Sequence, residues 1–206
     1  MKASAIIIGI VILILGAAGI YFLVTPFSEY REPPRTNTTN ATRGGIVPAA
    51  NPRLPSSDVF DVLYGPGPLN KLDLHVGQTY GTTFIVSVHG GGFSGGKKEQ
   101  LMPHSQWFAE LGFPAANINY PLVPTTMYPE QPQELLEAMK FLEENYGAER
   151  FIMFSFSAGA TLSMLTTLAQ NNNAGFGAVA DYSDAPIVAI IATGGVYNHS
   201  LIEGGA

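Results

Sequence analysis

The sequence predicts an α/β fold, a mostly parallel sheet with helices on both faces. Three observations lead there. Short apolar runs at residues 83–88, 151–154 and 187–193 have the length of buried strands. Longer segments between them, clearest at residues 129–146, carry apolar residues at helical spacing. A turn built from glycine or small residues follows two of the runs, His89-Gly90-Gly91-Gly92 and Ser155-Phe156-Ser157-Ala158-Gly159. Strands alternating with helices at this spacing build parallel sheets that are covered on both sides. No internal repeat is visible.

The elements follow in chain order. Residues 5–24, from Ala5 to Val24, contain no charge and consist mainly of Ile, Leu, Val, Ala and Gly. Twenty residues of helix would rise about 30 Å, the thickness of a hydrocarbon core. Tyr21 and Phe22 suit an interfacial position near its end. The expectation is one N-terminal transmembrane helix, an anchor within residues 1–25. A cleaved signal peptide is the alternative, with Lys2 as its basic start and Ala17-Ala18-Gly19 as a small-residue site. The apolar run continues past that site through residues 20–24. Lys2 on one flank faces Arg31, Arg35 and Arg43 on the other, so basic residues give no clear orientation.

Residues 26–57 read as a linker rich in Pro, Thr and Asn, without a periodicity that could bury a face. Asn37-Thr38-Thr39 and Asn40-Ala41-Thr42 match the N-glycosylation acceptor pattern. Such tripeptides also arise by chance in Thr/Asn-rich sequence; two in an exposed stalk point to an extracytoplasmic domain on a single-pass anchor. Residues 58–206 form the globular domain. Within it, residues 59–64 and 71–75 are expected strands around the turn Gly65-Pro66-Gly67-Pro68. Residues 83–88 form the next strand, 105–111 a helix carrying Trp107, and 113–118 another strand. The helix at 129–146 presents Leu135, Met139, Leu142 and Tyr146 on one face, with Pro129 in its first turn and Gly147 at its end. A strand at 151–154, a helix at 158–170 and a strand at 187–193 complete the pattern.

Composition sets outer limits. The 206 residues are 46% hydrophobic and 13% charged, with a net charge of −6. The ten basic residues are scattered, which argues against a nucleic-acid partner. The chain has no cysteine, so disulfides, thiolate metal sites and a cysteine nucleophile are excluded. No histidine pair has metal-ligand spacing, and Glu143-Glu144 reads as a solvated helix end, so no metal is expected.

The two motifs carry the chemistry. A serine hydroxyl attacks a carbonyl only if it is exposed, loses its proton to a base, and is faced by donors for the new oxyanion. A sharp strand-to-helix turn exposes Ser157, and it requires small residues two before and two after, here Ser155 and Gly159. The N–H of Ala158 is the expected first oxyanion donor. A second would come from Gly91 or Gly92, where the main chain can approach closely. His89 and Gly90 would brace that loop. Each motif alone is modest evidence, and their order and separation strengthen the pair.

Together with Leu72-Asp73-Leu74-His75, Gly96-Lys97, Asn117-Ile118-Asn119-Tyr120-Pro121-Leu122, Tyr128-Pro129 and Glu134, these motifs resemble the alpha/beta-hydrolase superfamily. The similarity is to its hormone-sensitive-lipase-like carboxylesterases and feruloyl-esterase-type enzymes, over residues 58–195. The resemblance implies a serine esterase that needs no cofactor and acts on a small-molecule ester, and the apolar run at residues 5–24 would tether it to a membrane. Ser157 would be the nucleophile, with Gly91, Gly92 and Ala158 as oxyanion donors.

Two departures stand out. Ser155 occupies a position that is normally glycine. The superfamily's acid and histidine follow the nucleophile after further strands, whereas 49 residues follow Ser157 here. The expectation is therefore a partial domain without its C-terminal strands and without the triad acid and histidine. Asp181, Asp184 and His199 are weak local substitutes, and His75 and His104 read as packing or surface residues. The alternative reading is a catalytically inactive scaffold that binds a partner.

Overall fold

A computed structural model describes residues 11–16, 19–24, 51–77, 81–172 and 182–197. The chain forms two units, Met1–Gly45 and Ile46–Ala206. In the first, β1 (Val11–Gly16) pairs antiparallel with β2 (Gly19–Val24), Gly16 opposite Gly19. This differs from the helix expected across residues 5–24. A continuous apolar run does not distinguish strand from helix by periodicity, and β-branched Ile and Val favour the extended backbone. Among the described residues, no helix is long and apolar enough to cross a membrane.

The second unit carries a six-stranded sheet of order β3-β4-β6-β5-β7-β8. Its strands are β3 (Val59–Leu63), β4 (Lys71–His75), β5 (Thr83–Val88), β6 (Ala115–Ile118), β7 (Arg150–Phe156) and β8 (Ile187–Thr193). β3, β4 and β6 run antiparallel in turn, while β6, β5, β7 and β8 are mutually parallel. The helices are α1 (Met102–Glu110), α2 (Glu130–Tyr146) and α3 (Ala158–Asn172), with a 3₁₀ turn at Lys98–Gln100. The α/β expectation thus holds for this unit. α1 begins three residues before the expected start, because Pro103 fits a first helical turn.

Alternation along the central strands divides the core. Phe84, Val86 and Val88 of β5, with Phe151 and Met153 of β7, join Leu135, Leu136, Met139 and Leu142 of α2 and Leu162 of α3 in one cluster. Ile85 of β5 and Ile152 and Phe154 of β7 pack with Phe108 of α1. α2 is shaped by its ends and its stripe: Pro129 sits at the N-cap, and Gly147 closes the helix in a left-handed conformation (φ 71°). Each fully buried leucine of that stripe contributes roughly 1.5–3 kcal/mol.

The last part of the expected linker rests on this unit. Asn51 Nδ2 donates to the Tyr146 carbonyl at 2.8 Å, and Leu54 packs against the core. At the other end, no strand pairs with the outer edge of β8 among the described residues. There Val188 and Ile191 are about half exposed.

Candidate active site

β5 and β7 are neighbouring parallel strands, with Val88 opposite Ser155. The glycine loop and the serine turn therefore leave the same end of the sheet side by side. A Cβ built on Gly90 would stand 3.0 Å from both Ser157 Cβ and the Phe156 carbonyl oxygen. A Cβ on Gly159 would collide with the carbonyl oxygens of Val88 and His89. Glycine at both positions is thus a condition of contact, and the contact is backbone against backbone.

Ser157 is exposed and holds a left-handed backbone, φ 50°. For a residue with a Cβ this costs roughly 1–2 kcal/mol. Surrounding bonds fix it. Its N–H donates to the Thr193 carbonyl at the end of β8 (2.7 Å), and its own carbonyl accepts from Ala160 and Thr161 in the first turn of α3. The N–H groups of Ala158 and Gly159, which open the helix ahead of these bonds, lie at the positive end of its dipole. Ala158, which follows Ser157, is the first residue of α3.

Gly91 and Gly92 are exposed and also left-handed, with φ of 127° and 60°. The Gly91 carbonyl accepts from Ser94 and Gly95, curling the loop back on itself. Phe93 follows at φ 63°; among the described residues, only Asp61, Phe93 and Ser157 are non-glycine residues with such a backbone. Two of the three lie in this site, where strain held by neighbours is expected.

The loop is held from β6 and the segment after it. His89 is buried and stacked on Tyr120 (centroids 4.4 Å apart, 14° between planes), and the Tyr120 hydroxyl donates to the His89 carbonyl at 2.9 Å. Burial lowers the imidazole pKa, offset in part by its hydrogen bond to the Gly90 carbonyl. In the middle of the loop, the Phe93 carbonyl accepts from the Val123 N–H and from Gln131 Nε2. At the far end, the Lys98 N–H donates to Asn119 Oδ1 at 2.7 Å. The adjacent residues Asn119 and Tyr120 thus clamp the two ends of one loop.

Lys98 is buried, and its ammonium lies 2.7 Å from Asp73, 3.0 Å from Glu99 and 3.2 Å from Asp61. Burial by itself would lower its pKa; hydrogen bonds to these carboxylates, Asp73 foremost, outweigh that and raise it well above the ordinary value. Asp73 also accepts from Asn117 Nδ2, and Asn117 Oδ1 meets His75 Nε2 at 2.9 Å. His75 Nδ1 in turn meets Asp58 at 2.7 Å. His75 is therefore a completely buried member of a polar chain, not a surface residue. Sequence reasoning did not identify Lys98, Asp73, Asn119 or Gln131 as supports of the site. A lysine beside Lys97 reads as solvated, and only the tertiary pairing reveals its partners.

The remaining candidates are less close. His104 is exposed on α1, its ring 5.1 Å from that of Phe154. Glu143 accepts from Ser183 Oγ at 2.7 Å, so it is a fastened residue and not simply a solvated one. Asp184 is exposed before β8, while Asp181 and His199 lie outside the described residues. Among the described residues, no histidine or carboxylate hydrogen-bonds Ser157, and no group of acidic and histidine side chains could hold a metal ion. Ser155 is buried, and its hydroxyl has no hydrogen-bond partner among the described residues.

A cavity of about 700 Å³ opens beside the glycine loop, at Gly92, and along α3 from Thr161. Gly92 and Phe93 form one wall, α3 a second, Val196 and Tyr197 a third, and Val123, Met127, Tyr128 and Gln131 a fourth.

Comparison with known proteins agrees with this architecture. The fold is similar to that of esterase B from Lactobacillus rhamnosis, crystallised with a tributyrin phosphonate inhibitor, at 17% identity and a TM-score of 0.62. That likeness covers 70% of this chain and 50% of that one. A bifunctional GH43-CE protein from Bacteroides eggerthii matches at 16% identity and a TM-score of 0.60, covering 74% of this chain and 22% of that chain. A bacterial heroin esterase matches at 22% identity and a TM-score of 0.52, covering 69% and 44%. At these identities the likeness concerns the fold, and this chain spans about half the length of esterase B. No curated protein sequence matches it. The BD-FAE family profile matches residues 72–204, from the second strand of the sheet past both motifs, and the chain belongs to the BD-FAE family.

Proposed function

We propose that the domain performs acyl transfer from carboxylic esters, with Ser157 as nucleophile. The observation that carries this reading is the exposed, left-handed Ser157 at the start of α3, packed directly against Gly90. Ser157 Oγ bonds to the ester carbonyl carbon while a base takes its proton. The carbonyl oxygen becomes an oxyanion facing the N–H groups of Ala158 and of Gly91 or Gly92. The C–O bond to the alcohol then breaks, the alcohol leaves with the proton, and the acyl group stays on Ser157 until water removes it. His89, Gly90 and Gly159 hold the frame. The substrate is a small-molecule ester, and no cofactor takes part.

We further infer that residues 5–24 tether the domain to a membrane with the domain extracytoplasmic. Twenty uncharged residues and the acceptor patterns at Asn37 and Asn40 support that reading. Retention in the pellet after alkaline carbonate extraction is the expected result; release into the supernatant refutes it.

The test of acyl transfer needs no resident base. The 206-residue chain is incubated with p-nitrophenyl butanoate, with and without imidazole as an external base. Turnover without imidazole is expected to be low, because among the described residues no histidine or carboxylate hydrogen-bonds Ser157. With imidazole, a butanoyl adduct is expected on Ser157 by intact mass and peptide mapping, and none on Ser157→Ala. Equal p-nitrophenol release by both proteins, without an adduct, refutes the assignment.

A further inference from the structure

Thr161 stands one helical turn after Ser157 on α3 and lines the 700 Å³ cavity. Gly92 lines it from the glycine loop, next to Gly91. Gly194, whose Cβ would sit 4.0 Å from the Ser157 N–H nitrogen, leads directly into Val196 on the third wall. Gly92 and Thr161 thus bring one end of the cavity next to the two turns, and from there it extends along α3.

Among the described residues, the walls carry no charged side chain, and the polar groups nearest the site are committed elsewhere. Thr161 Oγ1 donates to the Val196 carbonyl and accepts from the Val196 N–H. Gln131 Nε2 donates to the carbonyls of Phe93 and Pro121. The tyrosine hydroxyls belong to Tyr128 and Tyr197, whose side chains are more than half exposed. Beyond Thr161 the surface is Leu162, Met164, Leu165 and Leu168, faced by Phe93 and Met127. A charged or strongly polar group entering here would lose its water without a partner to replace it. From Thr161 to Leu168 the helix rises about 10 Å, at ~1.5 Å per residue.

We infer, on the basis of the acyl-transfer reading above, that this cavity takes the hydrocarbon chain of an uncharged medium-chain ester. Its reach corresponds to roughly eight carbons, each buried methylene strengthening binding about threefold to fourfold. Acetyl and butanoyl groups leave most of it empty. Leu168, half exposed at the end of this run of α3, and Met127, 59% exposed, both line it and can be changed without opening the core.

The test measures binding on Ser157→Ala, so it does not depend on turnover. Methyl butanoate, hexanoate, octanoate and decanoate compete with N-phenyl-1-naphthylamine, an uncharged fluorescent probe. Affinity is expected to climb with length to octanoate and then level off. Leu168→Glu should weaken octanoate at least tenfold and butanoate less than twofold. Val188→Glu, on the exposed face of β8, controls for general stickiness and should change neither. A flat length series overturns the inference, as does an octanoate loss in Val188→Glu equal to that in Leu168→Glu. A failure of the butanoyl-adduct experiment would refute the role of Ser157 and leave these binding results to stand or fall separately.

Discussion

The α-carbon of Gly159 lies directly beneath the main-chain carbonyl of His89, so close that a methyl group there would overlap the oxygen. This contact joins the turn after β7 to the loop after β5, and it determines how near Ser157 can come to Gly90. Gly159→Ala should therefore cost about 1–3 kcal/mol or more, since neither backbone can yield without moving its strand. Chemical denaturation of the variant measures this; an unchanged midpoint would show that the two turns separate freely.

Ser155 offers the opposite effect. Its buried hydroxyl lacks a partner, and an unsatisfied buried polar group costs roughly 1–3 kcal/mol. Ser155→Ala removes the group and keeps the strand's Cβ, so stability should rise by about 1 kcal/mol, or a Tm gain of roughly 2–4 °C. A lower Tm would mean that the hydroxyl is satisfied in solution, for instance by a water.

The ammonium of Lys98 neutralises Asp73 inside the domain. Lys98→Met leaves that carboxylate buried and unpaired, at a cost of about 3–5 kcal/mol. The double variant Lys98→Met/Asp73→Leu should recover most of the loss, because two apolar residues of similar volume need no pairing. A double-mutant cycle by denaturant titration decides it. Purely additive losses would show that the pair is not coupled.

His89 gives the domain an acid sensitivity. Its folded pKa is lowered by burial, so below the unfolded value of about 6.5 the unfolded chain binds a proton that the folded chain refuses. The stability this group supplies is complete above that pH and is lost as pH falls toward the lowered folded value. The slope reaches at most about 1.4 kcal/mol per pH unit. In His89→Gln the loss between pH 7.5 and 5.5 should shrink measurably relative to wild type. Parallel stability curves for the two proteins would assign the sensitivity to other groups.

The outer edge of β8 is uncharged along its whole length and bears Val188 and Ile191 in the open. Such an edge invites pairing with another chain. Ile191→Lys should lower concentration-dependent light scattering and leave the thermal midpoint within about 1 °C, as befits a surface change. Scattering unaltered by the lysine would locate self-association elsewhere.

The sequence by itself determined the order of strands and helices in the second unit, because alternation, capping residues and glycine turns are local signals. Pro129 and Gly147 marked α2 within one residue, and the apolar runs marked β5, β7 and β8. It also marked the two turns that meet, since the requirement for small residues at Gly90 and Gly159 is written in the chain. It did not determine residues 5–24, where an apolar run without polar spacing fits a helix or a strand, and the described part is a strand pair. Nor did it reveal what holds the glycine loop. Asn119, Tyr120, Gln131 and the Lys98–Asp73 pair act across the sheet from positions 21 to 38 residues away in sequence from their partners. A buried charge becomes recognisable only with its partner, and partners so distant are brought together by strand order alone. The cavity along α3 is likewise a product of packing, because its walls come from four separate parts of the chain that no local pattern connects.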